Sequence, residues 1–529
     1  MSGSVHVQDS GGPDLTGLAA RLVAHDASLW GPAARPEAEV RLGWLDLPES
    51  SESLLPQLRE LRDGLTAAGI DHVVLAGMGG SSLAPEVITR TAGADLTILD
   101  STDPHQVGAV LADRIERTVL VVASKSGSTV ETDSHRRAFE QAFRDAGLTT
   151  AEAAARIVVV TDPGSPLEAE ARAAGYAVVL ADPNVGGRYS ALSAFGLTPS
   201  HLAGADVERL LADARVLASD LGDDNNPGIV LGRALGAAAV AGQDKLVLAD
   251  AGSGMVGFGD WAEQLVAEST GKEGKGILPV VVEGVDAPGF ADAGEDAFRV
   301  VLGAGRPGLE AAAVGGSLGA QFLLWEYATA VAGHVIGINP FDQPNVAESK
   351  ANTAKILDES GDGPLPEGTP ALVEGAVEVH SDLAAIGSPT DLAGVLAALR
   401  GQVGPTGYLA VMAYLDRHGD GDAAGLRPRL AAASGGRPVT FGWAPRFLHS
   451  TGQFHKGGPQ VGVFLQITGA VSRDVDVPGR PYTFGRLQLA QALGDLRALT
   501  ERGRPVVRLH LTDRAAGIRQ LLAAAEATG

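Results

Sequence analysis

The sequence predicts an α/β protein in which short buried strands alternate with helices. Five short apolar segments follow one another between residues 71 and 182, namely DHVVLAG, LTILD, RTVLVVASKSG, RIVVVTD and YAVVLAD. Each segment is separated from the next by a stretch whose length and pattern suit a helix. Strands that alternate with helices in this way are typical of a parallel sheet flanked by helices.

The same pattern begins again after the polar segment LGDDNNPG, near residue 225. The stretch DKLVLADAGSGMVGFGDWAEQ again reads as a strand, a glycine-rich turn and a helix, so we expect two related α/β domains. We place an N-terminal segment at 1–50, the first domain at 51–215, the second at 216–357 and a C-terminal segment at 358–529. The C-terminal segment opens with a predicted linker, DESGDGPLPEGTP, and continues with two predicted helices, DLAGVLAALRGQV and GYLAVMAYLDRH, and the apolar runs GVFLQITG and PVVRLHL.

Composition narrows the class of protein. A chain of 529 residues that is 45% hydrophobic is large enough for two or three cores. No apolar run reaches the roughly 18 residues that span a bilayer, and the N-terminus lacks the pattern of a signal peptide. The absence of cysteine excludes disulfides and thiol catalysis, and a net charge of −23 argues against a general nucleic-acid binder. We therefore expect a cytoplasmic enzyme or binding protein without a membrane or nucleic-acid partner.

The first glycine-rich turn lies in GMGGSSLAPEVITR, between a predicted strand and a predicted helix. Glycines at 77, 79 and 80 allow close approach of the backbone, and free amides at the start of a helix attract anions. Ser81 and Ser82 add hydroxyl groups. Because no Gly-Lys-Ser/Thr follows and Ser82 stands at the third glycine position of a dinucleotide fingerprint, this turn alone supports phosphate binding and a tight structural turn equally.

A second candidate loop, SKSGSTVET, also follows a strong strand. It carries hydroxyl groups at Ser124, Ser126, Ser128 and Thr129, together with Lys125. In a parallel sheet, two loops at the carboxyl ends of the strands can lie side by side and surround one phosphate with hydroxyls and amides. The alternative is a serine-rich helix cap, since serine and threonine favour that position.

These motifs resemble those of a known family. GMGGSS followed by SKSGSTVET is similar to the phosphosugar loops of sugar isomerase (SIS) domains, and NVGGRYSALSAFGL, EQLVAESTGK and FDQPNVAESK resemble signatures of glucose-6-phosphate isomerases. The nearest pattern is the isomerase half of transaldolase–phosphoglucose isomerase fusions, and it covers the chain from about residue 50 to the end without an evident transaldolase half. The resemblance implies two SIS domains with parallel sheets flanked by helices, and a C-terminal α/β segment that packs on them.

Glu268 and Arg188 are the candidates for proton transfer. Aldose–ketose isomerisation needs a base held against a carbon acid and a group that stabilises the enediolate. Glu268 is near the end of a predicted helix, with Gln264 on the same face. The resemblance makes Glu268 the base and Arg188, in VGGRYS, the stabilising cation. The alternatives are a solvated glutamate and a structural arginine paired with an acid.

The segment FDQPNVAESK supplies two further candidates. Pro344 suits the first turn of a helix, which places Gln343 near the N-cap, and Lys350 would then share a face with Gln343 two turns later. The resemblance gives Gln343 a substrate contact and Lys350 a role near the ring oxygen during ring opening, although a lysine on such a helix is often only solvated. It also assigns phosphate binding to the two loops, through Gly80, Ser81, Ser124, Lys125, Ser126 and Thr129.

The histidine that assists ring opening is displaced in this sequence. Family members carry it in a QHS segment between the glutamate and FDQ motifs, where this chain has Gln321. A similar segment, RFLHSTGQFHKGGP, occurs downstream, so we assign the role to His449, with His455 as the competitor and a packed polar side chain as the alternative. The C-terminal segment must then fold back onto the other domains. In the family this histidine comes from a neighbouring subunit, which implies a homodimer.

The expected function is therefore interconversion of glucose 6-phosphate and fructose 6-phosphate through ring opening and a cis-enediol, with no metal and no cofactor. Three alternatives remain open: a dual phosphoglucose/phosphomannose isomerase, a non-catalytic phosphosugar-binding regulator, and an aminosugar-forming enzyme. A regulator would not need Glu268, Arg188 and Lys350, and the aminosugar-forming enzyme would need an N-terminal cysteine that this chain lacks.

Overall fold

A computed structural model describes residues 3–8, 11–305 and 308–527. Three sheets of five, five and six strands are flanked by helices, so the predicted α/β fold class is confirmed. The segment before the first sheet contains one strand and four α-helices: β1 (Ser4–Val7), α1 (Leu18–Val23), α2 (Arg35–Ala38), α3 (Leu47–Ser50) and α4 (Leu55–Ala67).

The first domain is built on a parallel sheet. Its elements are β2 (His72–Gly77), α5 (Gly80–Ala92), β3 (Leu96–Leu99), α6 (Pro104–Ala112), β4 (Thr118–Ala123), α7 (Val130–Asp145), α8 (Thr150–Ala154), β5 (Ile157–Thr161), α9 (Pro166–Ala174), β6 (Ala177–Leu180), α10 (Ala194–Leu202) and α11 (Val207–Ala218). The strand order is β3-β2-β4-β5-β6, and every pair is parallel. The five predicted strands are therefore confirmed. The central strands are buried along their length, as expected for a sheet covered by helices on both faces.

The second domain repeats this architecture. Its elements are α12 (Pro227–Val240), β7 (Lys245–Ala251), α13 (Phe258–Thr270), β8 (Leu278–Val282), β9 (Ala297–Gly303), β10 (Ala312–Gly315), α14 (Leu318–Ile336) and α15 (Val346–Ser360). The strand order is β1-β10-β9-β7-β8, in which only β1 runs antiparallel to its neighbour. The predicted succession of strand, glycine-rich turn and helix is confirmed in β7 and α13.

The C-terminal segment forms a third α/β domain. Its elements are β11 (Leu372–Glu374), β12 (Val377–His380), α16 (Leu392–Gly401), β13 (Tyr408–Tyr414), α17 (Leu426–Ala432), β14 (Val439–Trp443), α18 (Gly452–Gly457), β15 (Gly462–Gly469), α19 (Phe484–Glu501), β16 (Val506–Leu511) and α20 (Arg514–Ala527). The strand order is β11-β12-β16-β15-β13-β14. The predicted helix in DLAGVLAALRGQV is confirmed as α16. The predicted helix in GYLAVMAYLDRH is wrong, because this stretch contains the interior strand β13, whose residues are all buried and leave no polar helix face.

Buried ion pairs join the C-terminal domain to the first domain. Arg446 contacts both Glu86 and Asp100 at 2.6 Å, and Arg514 contacts Asp103 at 2.8 Å. These five side chains come from separate parts of the chain, and their pairing holds the last third of the sequence against the first sheet. The expected folding back of the C-terminal segment is therefore observed.

Two of the boundaries drawn from the sequence fall inside helices. Helix α11 runs across residue 215, and α15 runs across residue 357 and ends at Ser360. The first residues of the predicted linker are thus helical. Gly361 caps the end of this helix, and its φ of +46° favours glycine. Within the described ranges, no helix combines the length and apolar composition that crossing a membrane requires.

Candidate active site

The first glycine-rich turn lies where three segments of the chain meet. Gly79 has a φ of +56°, and a Cβ added to it would lie 2.7 Å from Nε2 of Gln264 and 3.0 Å from the carbonyl oxygen of His449. A Cβ on Gly80 would lie 1.9 Å from the carbonyl oxygen of Gly187. Only glycine fits at these positions. The turn thereby brings the start of α5 against the segments that carry the proposed catalytic residues.

The two serines of this turn differ in their surroundings. Ser82 is buried, and its hydroxyl lies 3.1 Å from the carbonyl oxygen of Gly79 and 3.0 Å from Asp100. These contacts give Ser82 a structural role. Ser81, the serine expected to bind phosphate, is only half-buried.

The second loop is organised by its own hydroxyl groups. Ser124 Oγ donates to Thr129 Oγ1 at 3.3 Å and accepts from the amide of Gly127 at 3.1 Å, while the hydroxyls of Ser126 and Ser128 lie 2.7 Å apart. Thr129 is the N-cap of α7, yet its side chain makes no capping hydrogen bond. The loop therefore presents several hydroxyls near the start of a helix, where an anion is favoured.

Lys125 of this loop has internal partners. Its Nζ lies 2.5 Å from a carboxylate oxygen of Asp162 and donates to the carbonyl oxygen of Pro183 at 3.1 Å. The positive charge of Lys125 is therefore paired with the carboxylate of Asp162.

Glu268 is almost completely buried and is held on both of its oxygens. Arg188 Nη1 lies 3.3 Å from Oε1, and Gln264 Nε2 donates to Oε2 at 3.0 Å. The contact with Gln264 confirms that the two side chains share a face of α13. A buried carboxylate fixed in this way can act as a base toward a carbon acid.

Arg188 is fixed by several acceptors besides Glu268. Its Nε donates to Ser269 Oγ at 2.7 Å, its Nη1 donates to Oε1 of Gln343 at 2.9 Å, and its Nη2 donates to the carbonyl oxygens of Pro340 and Asp342. Arg188 is 3% exposed, so its charge acts in a region of low dielectric constant. These hydrogen bonds fix Arg188 in place and direct its positive charge toward the carboxylate of Glu268.

His449 reaches this site from the C-terminal domain of the same chain. Its carbonyl oxygen accepts from Gln264 Nε2 at 2.8 Å, and its Nε2 lies 3.0 Å from Oε1 of Glu131. Burial opposes ionisation of Glu131, but the neighbouring His449 and Lys350 outweigh it and lower the pKa of Glu131 to about 2. Gln491 donates to the same oxygen at 2.8 Å. The imidazole is therefore oriented by a carboxylate that is ionised at neutral pH.

Lys350 and His449 line one cavity of about 470 Å³. Glu131 and Ser128 line it as well, so the cavity touches both the second loop and the histidine. Lys350 is exposed. Glu268 does not line the cavity, but it is joined to it through Gln264 and His449. Within the described residues, no group of three or more histidine and acidic side chains is arranged to hold a metal ion.

Parts of the sequence are similar to those of known proteins. The profile of the phosphoglucose isomerase family matches residues 57–232. A glucose-6-phosphate isomerase from Rubrobacter xylanophilus is 32% identical over 392 residues, which is 59% of this chain and 88% of that relative. The chain belongs to the phosphoglucose isomerase family. A probable glucose-6-phosphate isomerase from Haloarcula marismortui is 35% identical over 222 residues, and the chain spans about half (49%) of its length.

Solved structures support the same fold for this phosphoglucose isomerase family member. A hypothetical protein from Thermus thermophilus superposes with a TM-score of 0.55 and 25% identity, over 64% of this chain and 93% of the other. A glucose-6-phosphate isomerase from Chlamydia trachomatis gives a TM-score of 0.51 at 20% identity, over 65% of this chain and 79% of the other.

The FDQ segment of this family member differs from the expectation. Helix α15 begins at Val346 with Asn345 as its N-cap, so Pro344 precedes the helix and does not occupy its first turn. Gln343 therefore lies outside the helix, and its proximity to the site comes from its bond to Arg188 rather than from a shared helix face with Lys350.

His455 occupies a different environment from His449. It is 3% exposed among the rings of Tyr408, Phe447 and Phe464, and neither of its nitrogens has a partner among the described residues. Burial lowers its pKa well below the usual range. These observations favour a packing role for His455.

Two residues of the site were not singled out in the sequence. Glu131 lies just after the hydroxyl loop, within the quoted SKSGSTVET motif. Lys272 ends the EQLVAESTGK motif, and its Nζ contacts the side chain of Asp342 at 2.7 Å and donates to the carbonyl oxygens of Asn339 and Asp342. Burial and the nearby Arg188 lower the pKa of Lys272 to about 8. The one sequence signal that could have identified Glu131 and Lys272 was their position inside the quoted motifs.

Proposed function

We propose that the chain interconverts glucose 6-phosphate and fructose 6-phosphate. The observation that carries this proposal is that Arg188 and Gln264 both hold the carboxylate of Glu268, while Gln264 also donates to the backbone carbonyl of His449, next to two loops rich in glycine and hydroxyl groups. A base, a cation and an imidazole beside an anion-binding turn are the groups that an aldose–ketose isomerisation of a sugar phosphate requires. The glucose-6-phosphate isomerases among the relatives support the same substrate.

The phosphate of the substrate binds to the two loops of the first domain. Gly80 and Ser81 contribute from the first turn, and Ser124, Ser126 and Thr129 contribute from the second. Amides and hydroxyls hold the dianion without a large positive charge. Lys125 has the weakest support as a phosphate ligand, because it is paired with Asp162.

His449 and Lys350 open the sugar ring. One group removes the proton from the hydroxyl on the anomeric carbon while the other donates a proton to the ring oxygen, so the carbonyl compound forms as the ring C–O bond breaks. Glu131 orients the imidazole of His449 for this step. Gln343, held by Arg188, contacts the sugar hydroxyls.

Glu268 then moves the proton between the two adjacent carbons. It takes the proton from C2 of the open-chain aldose, which leaves a cis-enediolate with its charge on O1. The hydroxyl proton of O2 passes to O1, and Glu268 returns its proton to C1 to give the ketose. Arg188 stabilises the negative charge that develops on oxygen. Gln264 fixes the second oxygen of Glu268, so the carboxylate keeps one orientation through both transfers.

A coupled assay on glucose, mannose and glucosamine 6-phosphates tests this proposal. We expect fructose 6-phosphate to form from glucose 6-phosphate. Comparable conversion of mannose 6-phosphate would identify the dual isomerase. No conversion of any of the three sugars would contradict the proposal, and their binding in a separate calorimetric titration would then identify a phosphosugar-binding regulator.

A homodimer stays a proposal that rests on the family resemblance. The reason expected for it was a histidine from a second subunit, but His449 of this chain already contacts Gln264 and Glu131. The closer likeness to the isomerase half of transaldolase fusions and a cytoplasmic location, favoured by the lack of cysteine, are likewise proposals.

A further inference from the structure

A second cavity, of about 500 Å³, lies between the C-terminal domain and the segment that precedes α15. We call it the arginine cavity and define it by its lining side chains and the neighbouring glycines: Glu273, Asn345, Lys456, Gln460, Arg502 and Arg504. It shares no lining residue with the cavity that contains His449 and Lys350. Nothing in the proposed reaction uses it.

Arg504 is the unusual residue of this cavity. It is 5% exposed, its Nε has no partner among the described residues, and none of their carboxylates lies within ion-pair distance of its guanidinium. Its other nitrogens donate to the carbonyl oxygens of Pro459 and Gly458. A buried cation that carbonyls alone compensate is costly, and a bound anion would relieve that cost.

A second guanidinium lies beside it. Arg502 raises the electrostatic cost of the charge on Arg504, and burial together with this repulsion lowers the pKa of Arg504. Arg502 is paired with Glu348, with Nη2 2.6 Å from the carboxylate, and Lys456 is paired with Asp495 at 2.8 Å. The lining therefore contains three cations and one acid, the exposed Glu273, in a chain whose net charge is −23.

We propose that the arginine cavity binds an anion of the phosphate class, with Arg504 and Arg502 as its ligands. Two adjacent guanidiniums match the several acceptor oxygens of a phosphoryl group better than a single lysine does. An anion in the cavity would compete with Glu348 for Arg502, and Glu348 lies on α15, the helix that carries Lys350.

Equilibrium dialysis of the full chain against labelled inorganic phosphate tests this proposal. The measured quantity is the number of phosphates bound per chain in the wild type and in the variants Arg502→Gln and Arg504→Gln. We expect each variant to weaken affinity at that site about tenfold or more, because a hydrogen-bonded charge has been removed. At a phosphate concentration that just fills the site in the wild type, each variant should therefore bind close to one phosphate fewer per chain. A second arm with glycerol 3-phosphate distinguishes free phosphate from a phosphate monoester.

Arg497→Gln is the matched control, because Arg497 is, like Arg502, a half-buried arginine of the same region in a pair with a glutamate, Glu501. This control should bind as many phosphates as the wild type. Arg502 is one-third exposed, so Arg502→Gln remains informative where Arg504→Gln fails to fold. Unchanged binding in Arg502→Gln and in a folded Arg504 variant, in both arms, would overturn the proposal. The readout is a difference in stoichiometry, so it does not depend on isomerase activity or on phosphate binding at the two loops.

Discussion

The first and second domains each place a glycine-rich turn between a strand and a helix, but the two turns use their backbone amides differently. After β7, the carboxylate of Asp250 accepts from the amides of Gly252 and Ser253 at 2.7 and 3.0 Å. After β2, no side chain of the described residues accepts from the amides of Gly79 or Gly80. The second turn is thus filled by a carboxylate of its own chain, whereas the amides of the first turn have no such acceptor among the described residues, as the proposed binding of an anion there requires.

The first and second domains share one architecture, but in the proposed mechanism they contribute different groups to the site. In this mechanism the first domain supplies the turn and the hydroxyl loop that bind the anion, whereas the helix after the filled turn of the second domain carries Glu268 and Gln264 near its far end. Similar local sequence therefore predicts the shape of a turn but not its occupant. The occupant depends on one residue, Asp250, which lies within the preceding strand.

The sharpest test of this division is Glu268→Gln. We expect turnover to fall about 100-fold or more with KM changed by no more than about threefold, because the amide cannot accept the substrate proton while the binding loops are untouched. Steady-state kinetics in both directions measure the two constants. Near-normal turnover in this variant would contradict the assignment of the base.

Two controls accompany this variant. Glu263→Gln changes the same helix at a residue whose pKa burial raises well above the usual range, so turnover should stay within about threefold of the wild type. Mixing Glu268→Gln with His449→Ala should restore no activity, because both side chains act within one chain. A site shared between subunits would instead regain about a quarter of the activity in mixed dimers.

The pH dependence tests whether Lys272 supports the reacting side of the site. Its pKa of about 8 lies below that of a free lysine, so it loses its charge as the pH rises through 8, and its ion pair with Asp342 weakens. Because the carbonyl of Asp342 also accepts from Arg188, we expect kcat/KM to fall about tenfold between pH 7 and pH 9.

Lys272→Arg should lack this alkaline fall, since a guanidinium stays charged over that range. Lys275→Arg is the control: the Nζ of Lys275 donates to the carbonyl oxygen of Ile336 at 3.4 Å and pairs with no carboxylate of the described residues, so the profile should follow the wild type. An identical alkaline fall in Lys272→Arg would assign the titration to another group.

The parts of the site that the sequence predicted are those set by local spacing. Gln264 and Glu268 share a helix face because they are four residues apart, and each loop follows an apolar strand. The contact of Glu131 with His449 joins residues 318 positions apart, so it depends on how the C-terminal domain folds back. Its strand β13 was misassigned for a related reason, since a short apolar run does not distinguish a buried strand from a buried helix.

The binding side of the comparison is tested by Thr129→Val. The variant removes one hydroxyl from the second loop without removing a helix cap, because Thr129 makes no capping bond. We expect KM for fructose 6-phosphate to rise about three- to tenfold at nearly constant kcat, the effect of one neutral hydrogen bond. Thr132→Val is the control, since the buried hydroxyl of Thr132 has no partner in the described chain and its kinetics should not change. A fall in kcat at constant KM in Thr129→Val would place this hydroxyl in the reaction rather than in binding.

The smallest effect is expected at the filled turn. Asp250→Ala removes the acceptor of the amides of Gly252 and Ser253, and their hydrogen exchange should accelerate about fivefold, the equivalent of about 1 kcal/mol for an exposed charged acceptor. Exchange at Gly79 and Gly80 should not change. Because the carboxylate of Asp250 fills the turn for structural reasons, KM and kcat should stay near the wild type. Slow exchange at residues 252 and 253 in the variant would mean that the backbone, rather than the carboxylate, closes the second turn, and the contrast between the two turns would then have to come from the surroundings of Gly79.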